Sequence, residues 1–315
     1  MKILITGSAG FIGFHLSQLF LKNGHEVIGV DNLCKSYGVQ PKIRRLNKLK
    51  KNKKFKFYKT DILNIKKIKE KKIKYIIHLA AQAGVRLSQE KPELFIKDNI
   101  LGTIKLFEFA IKNKIKNIFY ASSSSVYGNS NIFPSHENIN TNKPLSIYGI
   151  TKASNEDLAY YYNYVYGINS IGFRFFTVYG PYGRPDMSIG IFFRAFLKNQ
   201  KIYLFNKGNN YRDFTYVDDI VNQIYSCFKK TLKKNKFLKI FNIGGESTIL
   251  IKNLVKIIQK ITGKKTKIIL SKKNKLDPVK SLASNKDIIK FSGYSKRTSI
   301  IDGLRKVYSD LINHN

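Results

Sequence analysis

The chain of 315 residues contains no tryptophan, two cysteines, two methionines and seven prolines. Cys34 and Cys227 are too few for a disulfide framework and lack the spacing of a metal site, so neither a stapled secreted domain nor a bound metal is expected. Acidic residues are scarce as well, 20 against 57 basic ones, giving a formal net charge of +37. Such an excess commonly marks a nucleic-acid or anionic-membrane partner. Here only nine of the basic residues are arginine, and the 48 lysines are strewn along the whole sequence with no arginine cluster and no RNA-binding aromatic motif. The densest runs, 48–59 and 229–239, therefore read as solvated loops and helix ends, and no specific nucleic-acid partner is expected. Long apolar runs are missing too: none approaches the ~20 residues needed to span a bilayer. The first strand begins at Lys2, where a secretory leader would stand. The expectation is a cytoplasmic protein without a membrane partner.

What is present, 43% hydrophobic residues, supports a substantial core. Up to about position 175, short β-branched runs alternate with helical periods. This predicts an α/β fold, a doubly wound parallel sheet with right-handed crossovers. Lys2–Thr6 reads as a buried strand, and Phe11, Ile12, Leu16, Leu19 and Phe20 as the apolar face of a helix running to Asn23. Between them stands Gly7-Ser8-Ala9-Gly10-Phe11-Ile12-Gly13. Gly7 permits a tight turn, Gly10 lets the backbone approach a pyrophosphate, and Gly13 lets the helix pack on the strand, with the phosphates at the positive helix end. The next strand, 26–30, ends in Asp31. An acidic residue about 20 positions past such glycines accepts hydrogen bonds from the ribose hydroxyls and repels a 2′-phosphate. NAD is therefore expected rather than NADP. Asp61 and Ile62 close a third strand at 55–60, where an adenine ring could be flanked. Ile76–Ala81 reads as a fourth strand running into the small residues of Leu79-Ala80-Ala81, which leave room for a cofactor. His78 inside that strand reads as a hydrogen-bonded core residue.

A strand at 115–121 delivers Ser122-Ser123-Ser124-Ser125 to the carboxyl edge of the sheet, where ligands of open α/β folds bind. The next helix opens with Tyr148, and Lys152 lies on the same face at i+4. A phenol with a pKa of about 10 is a poor base at neutral pH. A neighbouring ammonium and a positive nicotinamide ring would lower it, and Lys152 fits the first role.

In this order of motifs the chain resembles the extended short-chain dehydrogenase/reductase family, and within it the nucleotide-sugar epimerases. The resemblance runs through MKILITGSAGFIGFHL, DNL at Asp31, HLAAQAGVR ending at Arg86, ASSSSVYG, YGITKASNE, RFFTVYGPYGRPDM and RDFTYVDDIV from Arg212. AAQAGVR together with GPYGRPDM is most similar to the UDP-glucuronate 4-epimerases. The resemblance implies a catalytic set of Ser123, Tyr148 and Lys152. It implies cofactor contacts from Gly7, Gly10, Phe11, Ile12, Gly13, Asp31, Asn32, Asp61, Ile62, Leu79, Ala80, Ala81, Asn99 and Phe175, with Tyr148 and Lys152 serving here as well. Arg86, Ser124, Ser125, Thr177, Arg184, Arg212 and Asp277 fall on the substrate side. Arg suits a carboxylate or diphosphate because its planar fork pairs two oxygens at once.

The activity so implied is 4-epimerisation of a UDP-sugar through a 4-keto intermediate, most closely UDP-glucuronate to UDP-galacturonate. A UDP-glucose/UDP-galactose substrate and a non-catalytic NAD- or polyanion-binding role stand as the alternatives. Resembling dehydratases and decarboxylases carry a carboxyl where this chain has Ser124 and Ser125, and without that acid or base the elimination routes are excluded. The resemblance also implies a homodimer formed through the helices at 93–111 and 148–166. Residues 1–175 are expected to form the dinucleotide-binding part, with 211–245 partly returning to it. Residues 176–210 and 246–315 are expected to form a smaller substrate-binding lobe. Before Asp277 the usual Pro-Gly segment is replaced by Lys272-Lys273-Asn274-Lys275-Leu276.

Overall fold

In the computed structural model, which describes residues 1–272 and 278–313, the β-branched runs become one seven-stranded sheet. Its strands are β1 (Lys2–Thr6), β2 (Glu26–Asp31), β3 (Phe55–Lys59), β4 (Ile73–His78), β5 (Asn117–Ser123), β6 (Asn169–Phe175) and, after the short strands β7 (Thr177–Tyr179), β8 (Ile202–Leu204), β9 (Tyr211–Arg212) and β10 (Phe214–Tyr216), β11 (Leu238–Ile243). The order across the sheet is β3-β2-β1-β4-β5-β6-β11, and every neighbouring pair is parallel. Between the strands run α1 (Phe11–Lys22), α2 (Gln40–Lys50), α3 (Val85–Glu90), α4 (Pro92–Phe95), α5 (Gly102–Lys112), α6 (Ile147–Tyr166), α7 (Ser188–Leu197) and α8 (Val217–Thr231). The chain ends with β12 (Ile249–Leu250), α9 (Ile251–Thr262), β13 (Ile268–Leu270), α10 (Lys286–Ser292) and α11 (Ile300–Ile312). The doubly wound parallel sheet expected from the sequence is therefore present.

Successive residues of a strand point to opposite faces, and both faces here are covered. Ile3 and Ile5 of β1 pack with Phe14 and Phe20 of α1 and Ile220 and Ile224 of α8, whereas Leu4 packs with Leu106 and Phe107 of α5 and Tyr162 of α6. Each such side chain, fully buried, contributes roughly 1.5–3 kcal/mol. A third apolar cluster gathers Phe192, Phe193 and Phe196 of α7, Ile202 and Leu204 of β8, Leu254 and Ile258 of α9 and Leu304 of α11. Among the described residues no helix is long and apolar enough to cross a membrane, no group of three or more His, Cys, Asp or Glu is placed to hold a metal ion, and both cysteines are free thiols.

Two strand ends differ from the sequence expectation. β4 stops at His78: the Leu79 amide still donates to the Thr6 carbonyl at 3.1 Å, but the Ala80 amide donates to the Thr6 hydroxyl at 3.2 Å instead of to the ladder. β5 runs on through Ser122 and Ser123, which pair with Arg174 and Phe175 of β6. There the backbone ladder overrides the turn preference of serine, so only Ser124 and Ser125 belong to the one-turn helix that follows.

A buried polar group locks this edge. Glu156 of α6 accepts from the Ser122 hydroxyl at 2.5 Å and from Arg174 Nε and Nη2 at 2.9 and 2.7 Å. Both charged side chains are about 95% covered. Removing one partner of such a pair leaves an uncompensated charge, so Glu156→Ala is expected to destabilise the protein by about 3–5 kcal/mol. Urea denaturation measures it, with a surface exchange such as Lys260→Ala expected to stay within about 0.5 kcal/mol of the parent.

Candidate active site

The glycine motif forms the turn from β1 into α1. Gly7 has φ +70°, and a Cβ there would lie 2.8 Å from the Ala80 nitrogen; a Cβ on Gly10 would lie 2.9 Å from the Gly7 carbonyl, and one on Gly13 would collide with that same oxygen. Only glycine fits these positions. Gly10 caps α1 without a side-chain hydrogen bond, and the first turn carries no acidic residue. Its N–H groups therefore face outward from a positive helix end, which fits the pyrophosphate of a dinucleotide.

Asp31 ends β2 beside this loop, buried, accepting from the amides of Leu33 at 2.8 Å and Ala9 at 3.2 Å. Asn32 donates to Asp61 at 2.8 Å, and Asp61 in turn caps the turn that begins at Ile62. Leu79, Ala80 and Ala81 are half-buried just beyond β4, on the far side of Gly7. Phe11, Ile62 and Phe175 are buried, and Ile12 is half-buried. Two cations in this corner escaped sequence reasoning. Lys42 of α2 is buried 3.6 Å from Asp31 and donates to Cys34 at 3.1 Å. Arg45, also buried, donates to the carbonyls of Ala9, Tyr182 and Gly183 and to the Tyr37 hydroxyl. Their signal was drowned by the lysine bias of the surrounding sequence.

The reactive groups converge across the β5 edge. Ser123 caps the turn of Ser124 and Ser125, its hydroxyl accepting from the Ser125 amide at 3.1 Å. Tyr148 stands in the first turn of α6, capped by Ser146. Burial pushes its phenol above the ordinary value, while a hydrogen bond with Ser123 and the charge of Arg184 pull it down. Sequence spacing named Lys152 as the cation beside this phenol; Arg184, which spacing did not point to, bears on it as well. Lys152 is buried, with Nζ 6.0 Å from the Tyr148 ring centre, and donates to the Ala121 carbonyl at 2.9 Å. Burial lowers it to about 8. His78 is held between the hydroxyls of Thr6 and Thr103 and lowered to about 3, first by burial and then by the charge of Lys152, so it is neutral, a core residue as expected.

Asn99 is fully buried and clamps two elements. Its side chain bonds both backbone groups of Gln82 at 2.7 and 3.0 Å and the Thr151 hydroxyl at 3.0 Å, tying the β4 loop to α6. Arg184 pairs with Asp186 through Nε at 2.9 Å and Nη2 at 2.5 Å. Thr177 opens β7, half-buried. Together with Arg184 it lines a cavity of about 420 Å³ that also reaches Phe11, Arg45 and Asp310. Arg86 is exposed, with its guanidinium 4.2 Å from the Phe205 ring centre. Arg212 donates to the carbonyls of Tyr211 and Val279. Asp277 lies outside the described residues.

The model of the NAD dependent epimerase/dehydratase family matches residues 3–244. The chain belongs to that family. A UDP-glucuronate 4-epimerase of Thermodesulfobacterium geofontis is 39% identical to this family member over 308 residues, covering 96% of this chain and 94% of the relative. UDP-glucuronate 4-epimerase 4 of Arabidopsis thaliana is 35% identical, covering 97% and 74%. Among solved structures, UDP-glucuronic acid 4-epimerase from Bacillus cereus in complex with UDP-glucuronic acid and NAD superposes with a TM-score of 0.92 at 33% identity, covering 99% of each chain. UDP-glucose 4-epimerase of Thermotoga maritima superposes with a TM-score of 0.88 at 30% identity, again covering 99% of each.

In the cofactor-free protein the Tyr148 phenol is expected to titrate above its ordinary value, because burial disfavours the phenolate. Ser123→Ala removes a lowering hydrogen bond and raises it further. The difference in tyrosinate absorbance between the protein and its Tyr148→Phe variant measures both shifts.

Proposed function

We propose that this chain is an NAD-dependent UDP-sugar 4-epimerase that interconverts UDP-glucuronate and UDP-galacturonate through a transient 4-keto sugar. The observation that carries the reading is the convergence of Ser123 and Arg184 on one buried phenol, Tyr148, beside Lys152. In this role the Tyr148 oxygen takes the proton of the sugar 4-hydroxyl and later returns it, with the Ser123 hydroxyl sharing the hydrogen bond as charge develops. Left to itself the buried phenol would stay protonated and unable to accept that proton, since burial raises it. The Ser123 hydrogen bond and the charge of Arg184 supply the opposing pull. Lys152, lowered to about 8 by burial and anchored on the Ala121 carbonyl, keeps its ammonium on the cofactor side of the tyrosine. The chemistry that NAD supplies when bound is a reversible two-electron exchange at sugar carbon 4. Gly7, Gly10 and Gly13 with the α1 N-terminus would hold its pyrophosphate, and Asp31 with the neighbouring Lys42 its adenosine ribose. Asn32, Asp61, Ile62, Leu79, Ala80, Ala81, Phe11, Ile12 and Phe175 would wall it, with Asn99 holding the β4 wall against α6.

Arg184, Thr177, Ser124 and Ser125 would take the sugar carboxylate, where hydroxyl donors and a fork-shaped cation suit a planar anion. Arg212 would grip the diphosphate, and Arg86, stacked on Phe205, would close the open end of the cleft. The turn after β5 carries serines, so no carboxyl there drives loss of water or carbon dioxide, and a keto sugar formed at this site is reduced back. The named activities of the Bacillus, Thermodesulfobacterium and Arabidopsis relatives support glucuronate as the substrate. The division into a dinucleotide-binding part and a smaller lobe is part of the same reading, as is a cytoplasmic location, which suits two unpaired thiols.

A homodimer belongs to the proposal as well. Tyr160, Tyr161, Tyr164, Val165 and Tyr166 of α6 and Ile96 and Leu101 before α5 are all more than 40% exposed, a grouping of apolar side chains that a monomer seldom leaves to water.

Product NMR on UDP-glucuronate without added cofactor is expected to reveal UDP-galacturonate. Turnover of UDP-glucose with UDP-glucuronate left untouched would reassign the substrate. Tyr148→Phe is expected to lower kcat by about 10²–10⁴-fold while NAD binding persists. Sedimentation equilibrium is expected to give twice the chain mass, and Tyr164→Glu with Tyr160→Glu to shift it to the monomer.

A further inference from the structure

The guanidinium that bears on Tyr148 sits on an irregular turn, Gly180–Arg184, and the turn is pinned from outside the site. Tyr182 within it has φ +57°, a conformation that a non-glycine residue keeps only where its surroundings over-determine it. Its amide donates to Asp310 Oδ2 at 2.8 Å. The other Asp310 oxygen takes Arg44 Nη2 at 2.5 Å, and that guanidinium lies 4.2 Å from the centre of the Tyr182 ring. On the opposite side the carbonyls of Tyr182 and Gly183 accept from Arg45 at 2.7–3.1 Å, and Arg45 reaches on to the Ala9 carbonyl of the glycine loop at 3.1 Å. Donor and acceptor faces of one turn are thus held by two separate elements, α11 and α2.

We infer that Asp310, in the last turn of α11, is a positioning residue for Arg184: by fixing the Tyr182 amide and Arg44 together it sets the turn that carries this guanidinium to the catalytic phenol. Arg184 itself pairs with Asp186, reaches the Ala83 carbonyl and lies 5.0 Å from the centre of the Tyr37 ring. The groups that bear on the phenol are Ser123 of β5, Arg184 of the turn, Lys152 one turn along α6 and the edge of Phe95. Of these, Arg184 alone stands on the segment that Asp310 holds. Without Asp310 the amide of Tyr182 and the charge of Arg44 lose their shared acceptor, the left-handed residue relaxes, and Arg184 drifts from both the phenol and the sugar carboxylate. The inference rests on the epimerase reading for its kinetic arm only.

The test measures kcat/KM for UDP-glucuronate against pH in the holoenzyme, for Asp310→Ala and Asp310→Asn, each in the parental and the Arg184→Ala background. Asp310→Ala is expected to raise KM about tenfold, the worth of one weakened charge-assisted contact, and to move the acid limb of the profile up by about half a pH unit as the phenol loses a favourable charge. Asp310→Asn keeps one acceptor for the Tyr182 amide and is expected to fall between. In the Arg184→Ala background the same exchanges are expected to add less than about twofold, because their effect runs through a residue already gone. Equal losses in both backgrounds, or an unmoved acid limb with an unchanged KM, would overturn the inference. Should Asp310→Ala fail to fold, Asp310→Asn and Arg44→Met carry the same readouts. The tyrosinate titration of Tyr148 in these variants needs no substrate. An inactive parental enzyme whose phenol still shifts on Asp310→Asn overturns the functional reading alone, and an unmoved phenol overturns the positioning role.

Discussion

The arrangement of the site depends on one buried ion pair. Glu156 and Arg174 neutralise each other between α6 and β6, and the Ser122 hydroxyl completes the group from β5. Three elements are fixed by it at once: the strand that delivers Ser123, the helix that delivers Tyr148 and Lys152, and the strand that leads to Thr177. A pair so thoroughly removed from water gains little net stability over an apolar filling. What it adds is register, because the fork of Arg174 accepts one orientation of the carboxylate. One helical turn before Glu156, Lys152 is held by its own bond to the Ala121 carbonyl.

Around this clamp the polar groups of the site are arranged in opposition. Burial works against charge on Tyr148 and on Lys152 alike, raising the phenol and lowering the amine. Burial thus favours the uncharged form of each group. The Ser123 hydrogen bond and Arg184 tip the phenol back. Arg184 itself belongs to a turn with no regular structure, and the turn owes its shape to side chains far away in sequence, Arg45 and Asp310. The glycine loop joins the same web through the Ala9 carbonyl, so that loop and the turn that carries Arg184 share a single buried guanidinium.

Much of this was legible before any coordinates. The alternation of short apolar runs with helical periods gave the parallel sheet, since strands covered on both faces must be apolar throughout. Gly7, Gly10 and Gly13 announced a tight strand-to-helix turn because no side chain fits there, and Asp31 stands beside that turn through its bond to the Ala9 amide. Ser123, Tyr148 and Lys152 were legible as an ordered set. The electrostatics around them were legible only in part: spacing placed Lys152 next to the phenol, whereas Arg184, 36 positions beyond Tyr148 in the turn that follows β7, bears on it as well. Lys42 and Arg45 were invisible for a different reason. In a chain with 57 basic residues a cation carries no information until its burial is known.

The sequence alone determined the sheet and the tight glycine turn that leads into α1, because each of these is written in local spacing and in residues that only one backbone geometry accepts. The tertiary structure decided which charges meet. Whether a lysine is solvated or buried is a consequence of packing, and Asp310 of the final helix reaches the turn that holds Arg184 only because segments more than a hundred residues apart meet. Electrostatic interaction depends on distance and on the exclusion of water, and neither is encoded in neighbouring positions along the chain.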